Sequence, residues 1–365
     1  MSKETKLTPE EIKRQQEEQM KPAYHILEEL NMRPRLVQCI QAHNEEDLIQ
    51  CVMGSIYKEV DKILVIEGAT IARPNRTKDG HSIDATVEQI HEFIENYDPD
   101  DKVQLIQQAR PFVDLEELKN TFLRFVDEGD WLIINDADEF YRPEDIRRIR
   151  ELIDIYPHAR EFVPLFLHLY RDLGHIKKPD PEHQPQHQRI IKFYKGMHYR
   201  AHPVISYPNA MCSYFDEAVQ PYRYILSDVY IWHLGFVKDP EEQKEKARFY
   251  EEELAKHGDK GVAAHLEKTR QYLEYKEDLH TIARYTGGFP QGLHPLMHAK
   301  EVPEDAPHIL RAINGWHDPF YEDKEFNDWK EVQPYNLNNV PQIWVLTITG
   351  QRNTTGNNVG QMWDE

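Results

Sequence analysis

Cysteine is scarce: three in 365 residues, Cys39, Cys51 and Cys212, odd in number and without paired spacing. This excludes a disulfide framework and a cysteine-built metal site, and it suits a reducing compartment. No apolar run approaches the roughly 20 residues that cross a bilayer. The N-terminus is polar rather than signal-like, so the expectation is a soluble, cytoplasmic protein without a transmembrane segment. Positive charge is also short, with 44 Lys and Arg against 64 Asp and Glu and a formal charge of −20. Like-charge repulsion therefore opposes binding to nucleic acid or an anionic membrane. One stretch runs against the average. Between Arg171 and Arg200 lie seven basic residues (Arg171, Lys177, Lys178, Arg189, Lys192, Lys195, Arg200) and three acids (Asp172, Asp180, Glu182). It reads equally as a solvated face or as a site for an anionic ligand.

What is present is alternation. "RLVQCIQAH" (35 to 43), "DKILVIEG" (61 to 68), "KVQLIQQA" (102 to 109) and "DWLIIND" (130 to 136) read as strands. Between them, helical spacing is found in "NEEDLIQCVMGSIYKEV", in 85 to 96, and in "LEELKNTFLRFVDEG", which is closed by Gly129. Strands and helices alternating at this length imply a mainly parallel sheet covered on both faces, with ligands beyond the carboxyl ends of the strands. Pro143 starts a further helix. "REFVPLFLHLY", "QRIIKFY" and "VYIWHLGFV" then read as strands of a second, mixed sheet region, followed by a helix over 239 to 261. The division expected is an N-terminal helical extension (1 to 33, with Thr8 as cap and Pro9 at its first position), a ligand-binding half (34 to 158), a mixed half (159 to 240), and C-terminal helices with an irregular tail (241 to 365).

The fourth strand runs straight into acids: "WLIINDADEF". Asp136 and Asp138 flank the small Ala137, which lets a tight turn present both carboxylates to one point. A hard divalent cation, Mn²⁺ or Mg²⁺, would neutralise their repulsion, since such ions favour oxygen ligands and take one or two protein carboxylates plus phosphate oxygens. Asp98-Pro99-Asp100 is an internal control, having the same spacing in a polar turn with no apolar run before it. The competing reading of the later pair is that one aspartate caps the helix at Pro143. Glu139 reads as a supporting partner rather than a ligand.

The order "CIQAHNEEDLIQCVMGSI", "KILVIEGA", "SIDATVEQI", "GDWLIINDADEFY" resembles the family 2 type of GT-A glycosyltransferases over about residues 35 to 150. The resemblance implies a Rossmann-like GT-A sheet, a nucleotide-sugar donor of UDP or GDP type lying across the strand ends, and an Asp-x-Asp-bound metal on its diphosphate. It places Ala42, His43, Asn44 and Glu45 near the nucleotide, matches Ser82, Asp84 and Thr86 to a Ser-x-Asp-x-Thr, and sets Glu67 where an acid often faces the nucleoside. This chain departs by inserting "ATIARPNRTKDGH" after Glu67, which leaves Glu67, Asp79 and Asp84 as alternatives for that contact. The second half resembles the family more weakly. "YIWHLGFVKDPEEQKEKARFY" makes His233 the candidate third metal ligand, its tautomer set by an acceptor that the sequence does not name. Lys238, Arg200 or Lys195 would add positive charge near the phosphates, and Asp136 with Ala137 would meet the donor as well as the metal.

For the acceptor side, His202 matches a family histidine, but Pro203 stands where relatives carry an acid. Asp216, Glu217 or Asp172 could then take the acceptor proton. Late aromatics (Trp232, Trp316, Phe320, Tyr321, Trp329, Trp344) read mostly as core, and "NGWHDPFYED" as an acceptor-side loop. The acceptor expected is a glycan or another hydroxyl-bearing molecule; the resemblance leaves even modified DNA bases open. Two other classes compete: a nucleotidyltransferase, which needs a glycine- and base-rich loop where this chain has the acidic "QAHNEEDL", and a non-catalytic carbohydrate-binding relative, for which an intact Asp136 and Asp138 would be unneeded.

Overall fold

In β1 (Leu36–Ala42) the polar Gln38 is as fully buried as its apolar neighbours. A strand covered on one face only would leave Gln38 in water, so β1 is central. Its amide donates to Val52 O at 3.3 Å, which meets the need of a buried polar group for a partner. The computed structural model describes residues 33–73, 75–178, 188–201, 204–206, 223–238, 240–257, 260–274, 276, 278–285, 289–290, 321, 324–325, 344–346 and 352–353. The expected N-terminal helix, most of the C-terminal tail and the 314–323 loop apart from Tyr321 lie outside them.

β1, β2 (Lys62–Glu67), β3 (Val103–Ile106) and β4 (Trp131–Asp136) pair in parallel in the order β4-β1-β2-β3. The crossovers are α1 (Ile49–Ser55), α2 (Thr86–Tyr97) and α3 (Leu115–Phe122). Successive side chains of β4 go to opposite faces: Trp131 and Ile133 pack with α1, α2 and α4 (Pro143–Ile155), while Leu132 and Ile134 pack with α3. Both faces are thus covered, as the continuous apolar runs require.

The expected second, mixed sheet region continues the first. After β5 (Glu139–Phe140), β6 (Glu161–Tyr170) and β7 (Asp172–Lys177), the short β8 (Ile190–Lys192) pairs antiparallel with both β4 and β6 and joins the two regions. β9 (His198–Ala201) and β10 (Val204–Ser206) form a hairpin apart. β11 (Arg223–Phe236) runs parallel to β6, and β5 pairs antiparallel with its end. The single predicted helix over 239 to 261 is α5 (Pro240–His257), and a helix not anticipated at that position, α6 (Lys260–Leu273), follows it. β12 (Ile282–Arg284) adds to β7, and β13 (Trp344–Leu346) and β14 (Arg352–Asn353) extend the β11 edge. The mainly parallel α/β core is therefore observed, extended into one twelve-stranded sheet.

Two helices are shorter than their periodicity predicts. α1 starts only at Ile49: Asn44 takes a left-handed φ of 55°, and the N–H groups of Asn44, Glu45 and Glu46 are bound by Ser82 Oγ, Thr86 Oγ1 and Asp84 Oδ2. α3 ends at Phe122, beyond which i→i+3 bonds from Arg124 and Phe125 replace helical ones. The control Asp-x-Asp behaves as a turn: Asp98 accepts from Tyr57 OH at 2.6 Å and from the N–H groups of Lys102 and Val103 at 2.8 and 2.9 Å.

Candidate functional site at the strand ends

The turn after β4 does not cap α4, whose N-cap, Arg142, has no side-chain capping bond. The two aspartates instead divide their contacts. Asp136 accepts from Gln41 Nε2 at 3.0 Å through Oδ1 and from Arg189 Nη2 at 2.9 Å through Oδ2. Glu139, buried one turn on, accepts the Asp136 N–H at 3.1 Å and pairs with the same guanidinium. Burial pushes the Glu139 carboxyl up, and Arg189 opposes that rise. Arg189 is itself buried, its guanidinium carbon 5.5 Å from the Phe166 ring centre. Lys119, from α3, is buried close to this group, and burial brings its ammonium down to about 7 against the pull of Asp136.

Asp138 faces the other way, toward the end of β11. His233 Nε2 lies 3.7 Å from its Oδ1 and Lys238 Nζ 3.8 Å from its Oδ2. Lys238 also forms an ion pair with Glu45, at the exit of β1. Burial opposes the charge on Asp138, but the ammonium groups of Lys238 and Lys246, joined by His233 once acid protonates it, outweigh that and the carboxyl sits below its ordinary range. Burial takes His233 down to about 4, so the imidazole is neutral at pH 7 and the lysines supply the positive field. For Glu45 burial again dominates and raises the carboxyl, with Lys238 pulling it back.

The His233 ring packs directly against Gly235, beside Asp138. A Cβ on Gly235 would lie 2.5 Å from His233 Cε1 and Nε2 and 3.2 Å from Asp138 Oδ2. A carboxylate oxygen and a neutral imidazole nitrogen facing each other across 3.7 Å fit Mn²⁺ or Mg²⁺, which complete their shells with phosphate and water. The expected three-residue set of Asp136, Asp138 and His233 does not converge: among the described residues no three His, Cys, Asp or Glu groups form a metal cage, because Arg189 and Gln41 draw Asp136 aside.

The exit of β1, the end of β2 and the start of α2 are tied together. Glu67, fully buried, accepts four bonds: Ser82 N and Oγ at 2.7 and 2.8 Å, His81 Nδ1 at 2.7 Å and Gln107 Nε2 at 2.8 Å. Burial works to raise this carboxyl, and the four bonds together hold it below its usual range. A carboxylate has about four lone-pair directions, so Glu67 anchors the inserted segment. Asp84 is similarly engaged by Thr86 N and Oγ1 at 3.0 and 2.6 Å. Asp79 is exposed. Asn44 takes a left-handed φ of 55° and accepts from Ile83 N at 2.9 Å through its side chain. His43 lies beside these groups; burial and then Arg73 lower its imidazole to about 4. The insertion reaches over the strand ends, where Arg73 stacks on Phe249 of α5 at 4.6 Å.

Ala42 and Ala137 are buried where their strands end. Arg200 lies on β9, whose Tyr199 exchanges backbone bonds with the Asn120 side chain of α3, and Lys195 is exposed in a turn. His202, Asp216 and Glu217 lie outside the described residues. Asp172, the remaining proton-acceptor candidate, is fully buried and bonded to Gly174 N and His175 Nδ1, both at 2.8 Å. Within the basic stretch, Arg171, Arg189 and Lys192 are buried, with partners at Tyr272 O (Arg171), Asp136 and Glu139 (Arg189), and Pro157 O (Lys192). Trp232 and Tyr321 are core, as expected of most late aromatics. Lys246 and His168 were not singled out from sequence, and Arg189 was named only as one of the basic stretch. For Lys246 the signal was available, namely the alternating Lys244, Lys246 and Arg248 that follow the acidic first turn of the helix after His-x-Gly.

Residues 77–222 match the family model described as Glycosyl transferase family 2, less than half of the chain. The match takes in Asp84, Asp136, Asp138 and Arg189, and leaves β1 and β2 outside it. This segment, set on the mainly parallel α/β sheet, is thus similar to family 2 glycosyltransferases. Among solved structures, TarS residues 1–349 from S. aureus is 11% identical, covering 65% of this chain and 72% of that one with a TM-score of 0.34. A glucosyl-3-phosphoglycerate synthase from Mycobacterium tuberculosis, in complex with Mn²⁺ and UDP-glucose, is 16% identical with a TM-score of 0.27. That likeness covers 36% of this chain and 44% of the synthase, so the chain spans less than half of it. Neither likeness bears on what this chain binds. No curated protein is similar enough in sequence to count as a match. No helix among the described residues is long and apolar enough to cross a membrane.

Proposed function

We propose that the chain moves a sugar from a UDP- or GDP-type nucleotide-sugar donor to a hydroxyl-bearing acceptor, with a divalent cation held by Asp138 and His233. The observation that carries this reading is that, beside Gly235, a charged carboxylate and a neutral imidazole face one another across 3.7 Å. A bound Mn²⁺ or Mg²⁺ would supply Lewis-acid neutralisation of the departing diphosphate.

The chain's own groups would do the rest. Lys238 and Lys246 place positive charge beside Asp138, where negative charge grows on the leaving group, and fixed charges in a partly buried site need no reorganisation as it grows. Asp136, oriented by Gln41 and Arg189 with its side chain still 38% exposed, is positioned to accept from donor hydroxyls. Glu67 and Asp84 keep the β1 exit and the insertion in register, so that His43 and Asn44 border the nucleoside. Glu45 holds Lys238 in place through their ion pair.

The test is donor hydrolysis and thermal shift across a panel of UDP and GDP sugars, with and without Mn²⁺. Expected is a melting-temperature rise that needs both nucleotide and metal, and its loss in Asp138→Asn with the metal-free melting curve preserved. Stabilisation by triphosphates alone would favour nucleotidyl transfer, and by glycans alone a binding protein.

A further inference from the structure

The Nδ1 atoms of His168 and His233 lie 2.8 Å apart across β6 and β11, whose register pairs the two residues directly. Two imidazole nitrogens at that distance share one proton: one ring donates and the other accepts. His168 is held for this contact. Its ring stacks on Phe166 at 5.3 Å with planes 18° apart, and meets the His233 ring nearly at right angles, 83°, at 4.9 Å. On the far side of His233, Nε2 faces Asp138, beside Gly235.

We propose that His168 is a positioning residue that accepts the Nδ1 proton of His233, leaving the Nε2 lone pair of His233 directed at Asp138 and available to a cation. This rests on the metal site proposed above and adds a specific tautomer pair to it. His233 carries its proton on Nδ1, and His168 carries its own on Nε2. Outer partners of ligating histidines ordinarily fix ring orientation in this way, and their loss costs about 10–100-fold in metal affinity. The usual partner is a carboxylate or carbonyl, whereas here it is a second imidazole, which orients the ring without adding negative charge to a site that already holds Asp136, Asp138 and Glu139.

The experiment is Mn²⁺ titration of the full chain, alone and with UDP, followed by the free-ion EPR signal, in wild type, His168→Leu, His168→Asn and His233→Ala. His168→Asn keeps a carbonyl acceptor near the Nδ1 position and should bind within about threefold of wild type, while His168→Leu should weaken binding about 10–100-fold. A purely packing role for His168 predicts the opposite order, since Leu fills the apolar contact with Phe166 better than Asn does. Imidazole ¹⁵N shifts of the metal-free wild type give a second readout, with opposite tautomers expected for the two rings. Retained Mn²⁺ binding in His168→Leu alongside its loss in His233→Ala overturns this inference alone. Absence of Mn²⁺ binding by the wild-type chain overturns the metal reading and this inference together.

Discussion

Arg189 donates to Asp136 at 2.9 Å from a position that is itself almost sealed, its side chain only 4% exposed. One guanidinium from β8's approach thus holds the first aspartate of the strand-end pair and Glu139 behind it. Removing a buried cation while leaving its carboxylates in place costs about 3–5 kcal/mol. Arg189→Met should lower the urea midpoint by a corresponding amount. Arg189→Lys should recover part of it, since a point charge cannot bridge two carboxylates as a planar fork does. Equal stability of Arg189→Met and wild type would mean that the network is not held by this residue.

Gly235→Ala tests the packing of Gly235 against His233. The added Cβ collides with the His233 ring at 2.5 Å, so the ring must turn or the strand end must shift. Overpacking of this kind costs about 1–3 kcal/mol of stability. The larger expected effect is on donor turnover, down by about two orders of magnitude, as for loss of one preorganised electrostatic group. Full turnover in a folded Gly235→Ala chain would remove the reason for a glycine there.

His43 gives a pH dependence. Its folded value, about 4, lies below the ordinary 6.5, so the unfolded chain binds more protons between those values. Stability therefore rises with pH across that window and falls as the medium is acidified through it. In His43→Gln that part of the slope should vanish while the acid unfolding due to carboxylates stays. Parallel pH–stability curves for the two proteins would contradict the assignment.

Asp98 serves as the control that its spacing suggests. Burial works to raise this carboxyl, but bonds from Tyr57, Val103 and Lys102 hold it below the ordinary 3.8. Its contribution is present above that pH and is lost as pH falls through the folded value. Asp98→Ala should cost about 1–3 kcal/mol at pH 7 by stripping buried partners of their acceptor, a penalty that shrinks toward zero in strong acid. Donor turnover in the folded variant should be unchanged, in contrast to Asp138→Asn.

How much was legible depended on whether a feature is local. The four parallel strands and their crossovers follow from apolar runs of strand length alternating with helical spacing. "WLIINDADEF" could be told from Asp98-Pro99-Asp100 because only one of them ends an apolar strand. The lengths of α1 and α3 differ because periodicity does not register local backbone conformation, such as the left-handed φ of Asn44 before α1 or the i→i+3 bonds of Arg124 and Phe125 after α3. How the mixed region joins the parallel one was not legible, because the three residues of β8 connect them by hydrogen bonds that leave no pattern of their own.

The sequence by itself determined that acids would stand at the end of a buried strand, because burial of Leu132, Ile133 and Ile134 fixes where the chain can surface. Only the tertiary structure decided how those acids are shared out. Arg189, 53 residues beyond Asp136, claims one carboxylate, and His233 with Lys238, on the far side of β6, surround the other. Charges act through space over a few ångströms, and the register of β8 and β11 brings these distant residues within that range.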